Sequence, residues 1–192
     1  MKVLIACEFS GIVREAFKAR GHDSWSCDLL STEISGNHYQ RNVLEILNEG
    51  WDLMIAHPPC TFLSNAGARF LYPKGILNKD RLQKGLSAKE LFMFLWNAPI
   101  AKICIENPIP SKIFGLPACH QRIQPYEYGH PLKKRTCLWL KGLSLLQPTN
   151  IVNERQSTKV AGNWFNKGGL DRQKNRAKTF QGIADAMAEQ WG

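Results

Sequence analysis

The feature that most constrains this chain is an alternation in which short apolar runs stop abruptly at turn signals and give way to helix-period sequence. Val3-Leu4-Ile5-Ala6-Cys7 has no helical polar spacing and meets Glu8-Phe9-Ser10-Gly11, so it reads as a strand buried on both faces. The period then changes. Ile12, Val13, Ala16 and Phe17 recur at three and four while Arg14, Glu15, Lys18 and Arg20 fall between them, which predicts an amphipathic helix closed by Gly21. His22 to Cys27 reads as a second strand ending at Asp28. Trp51 to Ala56 reads as a third, stopped by His57-Pro58-Pro59, because prolines cannot continue a ladder. Ser87-Ala88-Lys89-Glu90 has capping-box form ahead of Leu91, Phe92, Phe94 and Leu95, which predicts a helix that begins there and stops before Pro99. Lys102 to Ile105 reads as a strand delivering Glu106-Asn107-Pro108, Thr136 to Leu140 as a later strand, and Gly182 to Ala188 as a closing helix. Leu71 to Lys84 and Leu143 to Lys178 lack a clear period and are expected to be long loops. The implied fold class is α/β: one domain over residues 1–192, built on a doubly wound, mostly parallel sheet with ligands at the carboxyl ends of its strands.

Composition narrows the partners. With 44% hydrophobic residues the chain can bury a core, which excludes a disordered polyelectrolyte. Lys+Arg number 25 against 16 Asp+Glu, and the resulting +9 favours a polyanion, since each neutralised phosphate releases counterions; a well-solvated basic surface carries the same charge. No stretch is long and apolar enough for a membrane helix, and the first apolar run meets Glu8 too early for a secretory signal, so a cytoplasmic protein is expected. The six cysteines form no C-x-x-C pair, which argues against a disulfide framework. Cys119-His120 with His130 and Cys137 fits no common zinc spacing, and no metal is expected.

Chemistry should gather at the strand ends. Gly11 follows the first strand, where a missing side chain lets a nucleoside approach the backbone, although an ordinary strand-to-helix turn uses glycine equally well. Asp28, at the next strand end, has the placement of an acid that accepts ribose hydroxyl bonds; alone it would read as a turn acid. His57-Pro58-Pro59-Cys60 puts a thiol on a loop stiffened by two prolines. A nucleophilic Cys60 needs a nearby cation to lower its pKa, with His57, Arg69 and Lys134 as candidates; a buried, inert cysteine is the other reading. Glu106 stands on the same rim, where a carboxyl kept protonated by burial could donate to a ring nitrogen, or where a plain carboxylate could pair with Lys or Arg. Lys133-Lys134-Arg135 can hold phosphate or form only a solvated surface, and the cluster Arg172, Lys174, Arg176 and Lys178, after the aromatic and glycine residues Trp164, Phe165, Gly168 and Gly169, reads as a loop that orders on nucleic acid.

In order along the chain these segments resemble the DNA cytosine-5 methyltransferases. Phe9-Ser10-Gly11-Ile12 is similar to that family's F-x-G-x-G cofactor turn, and His57-Pro58-Pro59-Cys60 with Ser64 to its P-C-Q-x-x-S nucleophile loop. Ile105-Glu106-Asn107-Pro108 is similar to its E-N-V segment, and Tyr128-Gly129-His130-Pro131 with Lys133-Lys134-Arg135 to its Y-G-x-P-Q-x-R-x-R segment. Val13 replaces the second glycine of the turn, Thr61 and Leu132 replace glutamines, and Asn42 stands where an acid facing adenine is expected. The resemblance covers residues 3 to 140 and, more weakly, 179 to 190.

The resemblance implies a Rossmann-like S-adenosylmethionine-dependent fold and methyl transfer to cytosine C5 in duplex or single-stranded DNA. It assigns Cys60, Glu106, Lys134 and Arg135 to catalysis, and Phe9, Ser10, Gly11, Asp28, Asn42 and Pro58 to S-adenosylmethionine. Ser64, Arg69, Lys133, Arg172, Lys174, Arg176 and Lys178 go to nucleic acid. Residues 141–178 form only a short candidate recognition insert, as in a minimal phage-type enzyme acting in a bacterial host cell. The same chemistry on RNA or a free pyrimidine nucleotide, or nucleic-acid binding without catalysis, are the alternatives.

Overall fold

The computed structural model describes residues 1–157 and 171–192, with the side chains of 171–173 also left aside. Trp164, Phe165, Gly168 and Gly169 and the side chain of Arg172 therefore lie outside the described residues. In chain order the strands are β1 (Lys2–Ala6), β2 (Asp23–Asp28), β3 (His38–Gln40), β4 (Leu53–Ala56), β5 (Lys102–Pro108), β6 (Gln121–Ile123), β7 (Leu132–Lys133), β8 (Thr136–Lys141) and β9 (Gln156–Ser157). The helices are α1 (Ile12–Lys18), α2 (Lys79–Trp96), α3 (Asp171–Ala177) and α4 (Gln181–Trp191).

Seven strands form one sheet in the order β3-β2-β1-β4-β5-β8-β6, and β7 pairs with β9 in a separate two-stranded ribbon. β1 to β5 are mutually parallel, whereas β8 runs antiparallel to both β5 and β6. Each central strand is apolar on both faces because both faces are covered. Val3, Ile5, Leu53, Ile55 and Cys104 pack with residues of α1 and α4, while Leu4, Met54, Ala56, Ile103 and Ile105 pack with Phe92 of α2 and with Trp139. This is a mixed α/β, Rossmann-like architecture, a mostly parallel sheet flanked by helices. The chain leaves β1 toward β2 on one side and returns to β4 on the other, so the strand order reverses between them and opens a crevice at their carboxyl ends. Among the described residues no helix is long and apolar enough to cross a membrane.

Three expectations are corrected. α2 starts at Lys79, not Ser87: the Asn78 side chain accepts from the Arg81 N–H (3.0 Å), and the first turns lie mostly on the surface, so no apolar period marks them. Residues 79–84 are thus helical where a loop was expected. The stretch 143–178 likewise holds the short β9 and the all-polar first turns of α3. Finally, Glu106-Asn107-Pro108 is not a loop after the strand but the last part of β5, because β8 runs alongside and pairs Glu106 with Leu138 and Pro108 with Thr136.

Candidate active site

Strand register builds the site. Ala56 pairs with Ile105, which sets His57 level with Glu106, and the His57 N–H continues the ladder to the Ala6 carbonyl (2.9 Å). Alternation then aims the side chains: Leu53, Ile55 and His57 share one face, as do Cys104 and Glu106. His57 Nδ1 and Glu106 Oε2 meet at 3.0 Å, with the side chains 7% and 16% exposed. Burial alone pushes the Glu106 carboxyl up. The hydrogen bond and charge of His57, with Lys134 and Thr136, outweigh it and hold the carboxyl below its ordinary pKa. An ionised carboxylate only accepts, so Nδ1–H donates, and the buried Nε2 is left without a hydrogen-bond partner among the described residues. Of the two readings open for Glu106, this geometry favours the paired carboxylate in the free protein, with a histidine as its partner in place of Lys or Arg.

Cys60 is half-buried on the loop that leaves β4. Its carbonyl accepts from the N–H groups of Leu63 (3.2 Å) and Ser64 (2.9 Å), which closes a compact turn after the prolines. The loop is pinned to the end of β5 from three sides: the Asn107 side chain donates to the Pro58 carbonyl (3.3 Å), Asn65 N–H to Ile109 (2.8 Å) and Ser111 N–H to Leu63 (2.7 Å). Thiol and carboxyl thus share one rim. Burial pushes the Cys60 thiol up, the Glu106 charge adds to this, and Lys134 and Arg176 pull in the opposite direction. Of the three cations nominated from sequence only Lys134 acts in that sense, joined by Arg176; Arg69 instead lies 4.7 Å over the Phe70 ring. Lys134 donates to the Arg176 carbonyl (3.0 Å) and so ties α3 to the site. Arg135 and Lys133 are exposed.

The turn after β1 is more built than its sequence suggests. Gly11 adopts φ +78° and caps α1, where a Cβ would come within 2.7 Å of Arg14 Nη2 and 3.0 Å of Ile34 Cβ. Glu8 is buried and accepts from the Val13 N–H (2.8 Å), the Arg14 N–H (3.3 Å) and the Ser10 hydroxyl (3.0 Å). Phe9 is 8% exposed, and its carbonyl accepts from the Glu33 N–H (2.9 Å). Asp28 stands at the end of β2 with its carboxylate turned to the Leu30 N–H (2.9 Å), and its charge helps push the Cys7 thiol up to about 12, after burial. Asn42 is exposed and caps the short turn Val43–Glu45 by accepting from Leu44. Cys7 to Ser10, His57 and Ala177 to Thr179 line a cavity of about 30 Å³. Lys178 crosses this region to Glu33 at 2.6 Å. Lys174 and Arg176 are exposed along α3.

Three participants escaped the sequence reading: Glu8, Arg14 and the pairing of His57 with Glu106. Glu8 and Arg14 looked like ordinary polar positions of an exposed turn and helix face. Only the β4–β5 register could have announced the pairing.

No protein-family profile matches the chain, and no curated protein matches it in sequence. Among solved structures the fold is similar to a protein assigned as a DNA modification methyltransferase encoded within an E. coli prophage, at TM-score 0.50 and 15% identity over 78% of this chain. The chain spans about half of that protein's length, since the match covers 51% of it.

Proposed function

We propose that this chain is an S-adenosylmethionine-dependent methyltransferase acting on C5 of cytosine in DNA through a covalent Cys60–C6 intermediate. The observation that carries the reading is the shared rim of Cys60 and Glu106: 46 residues apart in sequence, they stand at the ends of the neighbouring strands β4 and β5, with the Cys60 loop held to β5 by Asn107 on the Pro58 carbonyl (3.3 Å). The prophage protein of similar fold, described as a DNA modification methyltransferase, is consistent with it.

The donor's chemistry fits the crevice better than its present volume does. The Phe9 ring, the Asp28 carboxylate at the end of β2 and the orphaned His57 Nε2 supply an apolar face, a ribose acceptor and a polar partner. A cavity of about 30 Å³ is far below the roughly 300 Å³ a nucleoside needs, so Ala177–Thr179 must move aside for it to enter. When bound, S-adenosylmethionine supplies an electrophilic methyl group on its sulfonium.

The protein's own groups account for the protons. In the free state the thiol holds its proton and Glu106 is ionised. When cytosine enters, the thiol proton passes to the Glu106–His57 pair, which yields at once the thiolate that adds to C6 and the carboxyl that donates to N3. Lys134 beside both groups offsets the charge that develops on the ring. C5, now nucleophilic, accepts the methyl group and leaves the donor as a neutral thioether; the C5 proton then passes to solvent water as the C5–C6 double bond re-forms and the thiolate leaves C6, to regain its proton from Glu106. In a duplex the base must first leave the stack.

Incubation with methyl-labelled donor and mixed DNA, followed by nucleoside analysis, tests this. Labelled 5-methylcytosine from the parent and none from Cys60→Ser is the expected result; equal turnover by the variant excludes the mechanism. The small volume of the cavity, about 30 Å³, favours a second reading, a nucleic-acid binder without catalysis. Calorimetry separates the two, because no heat of donor binding at millimolar concentration selects the binder.

A further inference from the structure

The segment that follows Cys60 presents a surface that the catalytic assignment leaves unused. Phe70 and Tyr72 are 51% and 50% exposed, the first ending the turn Asn65–Phe70 and the second just before the turn Pro73–Gly75. Rings of that size at half exposure leave a face for another planar group. Cations are interleaved with them. Arg69 lies 4.7 Å from the Phe70 centroid, and Arg81, on the first turn of α2, lies 5.1 Å from Phe62 and 5.5 Å from Phe70. Arg81 also donates to the carbonyl of Thr61 (3.0 Å), the residue next to the thiol, which fixes this cluster against the Cys60 loop. From 61 to 89 the chain carries six cations (Arg69, Lys74, Lys79, Arg81, Lys84, Lys89) against one carboxylate, Asp80, itself paired with Lys84 at 2.9 Å.

We propose that this surface is a platform for single-stranded DNA, with unpaired bases stacking on Phe70 and Tyr72 while the surrounding cations follow the phosphates; it rests on the reading of the chain as a nucleic-acid enzyme. The distinction from a duplex is physical. A duplex hides its base faces in its own stack and offers groove edges, which polar side chains read and phenyl rings do not. An unpaired strand offers base faces to aromatic rings and phosphates to Lys and Arg, with little regard for sequence. Acting on unpaired cytosines also removes the cost of extruding the base.

The test is fluorescence anisotropy on the whole protein, without donor, using one mixed sequence as labelled single-stranded DNA, duplex DNA and RNA. Single-stranded DNA should bind roughly tenfold or more tighter than the duplex and at least as tightly as the RNA. Phe70→Ala with Tyr72→Ala should weaken single-strand binding by roughly tenfold or more and leave the duplex nearly unchanged. Circular dichroism melting checks that this surface variant is folded. Lys74→Gln with Lys79→Gln should weaken both DNA forms and flatten the salt dependence. Duplex binding equal to or tighter than single-strand binding, RNA bound tenfold tighter than DNA, or a ring variant that binds like the parent overturns the proposal. The assay is independent of turnover. Loss of single-strand binding in the ring variant with no methylated nucleoside from the parent keeps the platform and removes the methyltransferase reading; labelled 5-methylcytosine from the parent with single-strand binding unaffected by the ring substitutions does the reverse.

Discussion

Replacing Arg14 with methionine removes a guanidinium that is fully buried beneath the turn after β1. It donates to Ser26 Oγ (2.9 Å), Thr32 Oγ1 (3.1 Å), the Ile34 carbonyl (2.5 Å) and Glu15 (2.9 Å), and so holds the loop after β2 against Gly11. Hydrogen bonds to a charged group contribute about 1.5–3 kcal/mol each. Two losses are softened, because Ser26 Oγ also meets His38 Nδ1 (2.9 Å) and the Thr32 hydroxyl can itself donate to Ile34 (2.9 Å). Removing a desolvated charge returns several kcal/mol more, so the net cost is roughly 3 kcal/mol. For a chain of this size that lowers Tm by roughly 6–12 °C. Urea and thermal melts measure it, with Glu15→Gln as control: that pair is partly exposed, and its loss should cost less than about 1 kcal/mol. Donor binding should weaken as well, because the same loop supplies the Glu33 N–H to Phe9. A methionine variant within about 1 kcal/mol of the parent refutes the reasoning, since the buried guanidinium would then be doing nothing that an apolar chain of similar length cannot do.

Two further outcomes concern protons. Alkylation of Cys60 by iodoacetamide, followed by peptide mass mapping, should rise with pH through a midpoint above that of an ordinary thiol, moving further up in Lys134→Met and down in Glu106→Gln; a midpoint at or below the ordinary value contradicts the placement. His130 Nε2 accepts from the Gly182 N–H (3.1 Å) at the start of α4, and burial lowers its pKa despite Asp185. The folded state then binds fewer protons, so this stabilisation is complete above the unfolded value of about 6.5 and is lost as pH falls through the folded one. Chemical denaturation across pH 7 to 5 should show that loss, and His130→Asn, which still accepts but does not titrate, should flatten it. An unchanged slope in His130→Asn contradicts the assignment.

How much of this was legible in the sequence follows from which forces leave a local mark. Strands buried on both faces write themselves as apolar runs, so β1, β4, β5 and β8 could be read, and with them the crevice at which Gly11, Cys60 and Glu106 gather. α2 was read too short because its first turns face solvent and are held by the Asn78 cap rather than by packing. The extension of β5 through Glu106 depends on β8, about thirty residues on, and no local pattern encodes a partner. The partner of Glu106 escaped for the same reason: a Lys or Arg was foreseeable, the neighbouring histidine was not. Glu8 and Arg14 show the converse, charged residues in polar surroundings that fold inward to satisfy backbone groups.

The central claim is most directly tested by trapping. In an oligonucleotide carrying 5-fluorocytosine, fluorine takes the place of the C5 proton, so a thiolate that has added to C6 cannot be eliminated after methyl transfer. The account predicts that, with S-adenosylmethionine present, mass spectrometry finds the methylated fluorocytosine adduct on the peptide containing Cys60 and on no other cysteine. Formation of 5-methylcytosine from the ordinary oligonucleotide with no adduct at Cys60, or an adduct at a different cysteine, would contradict it.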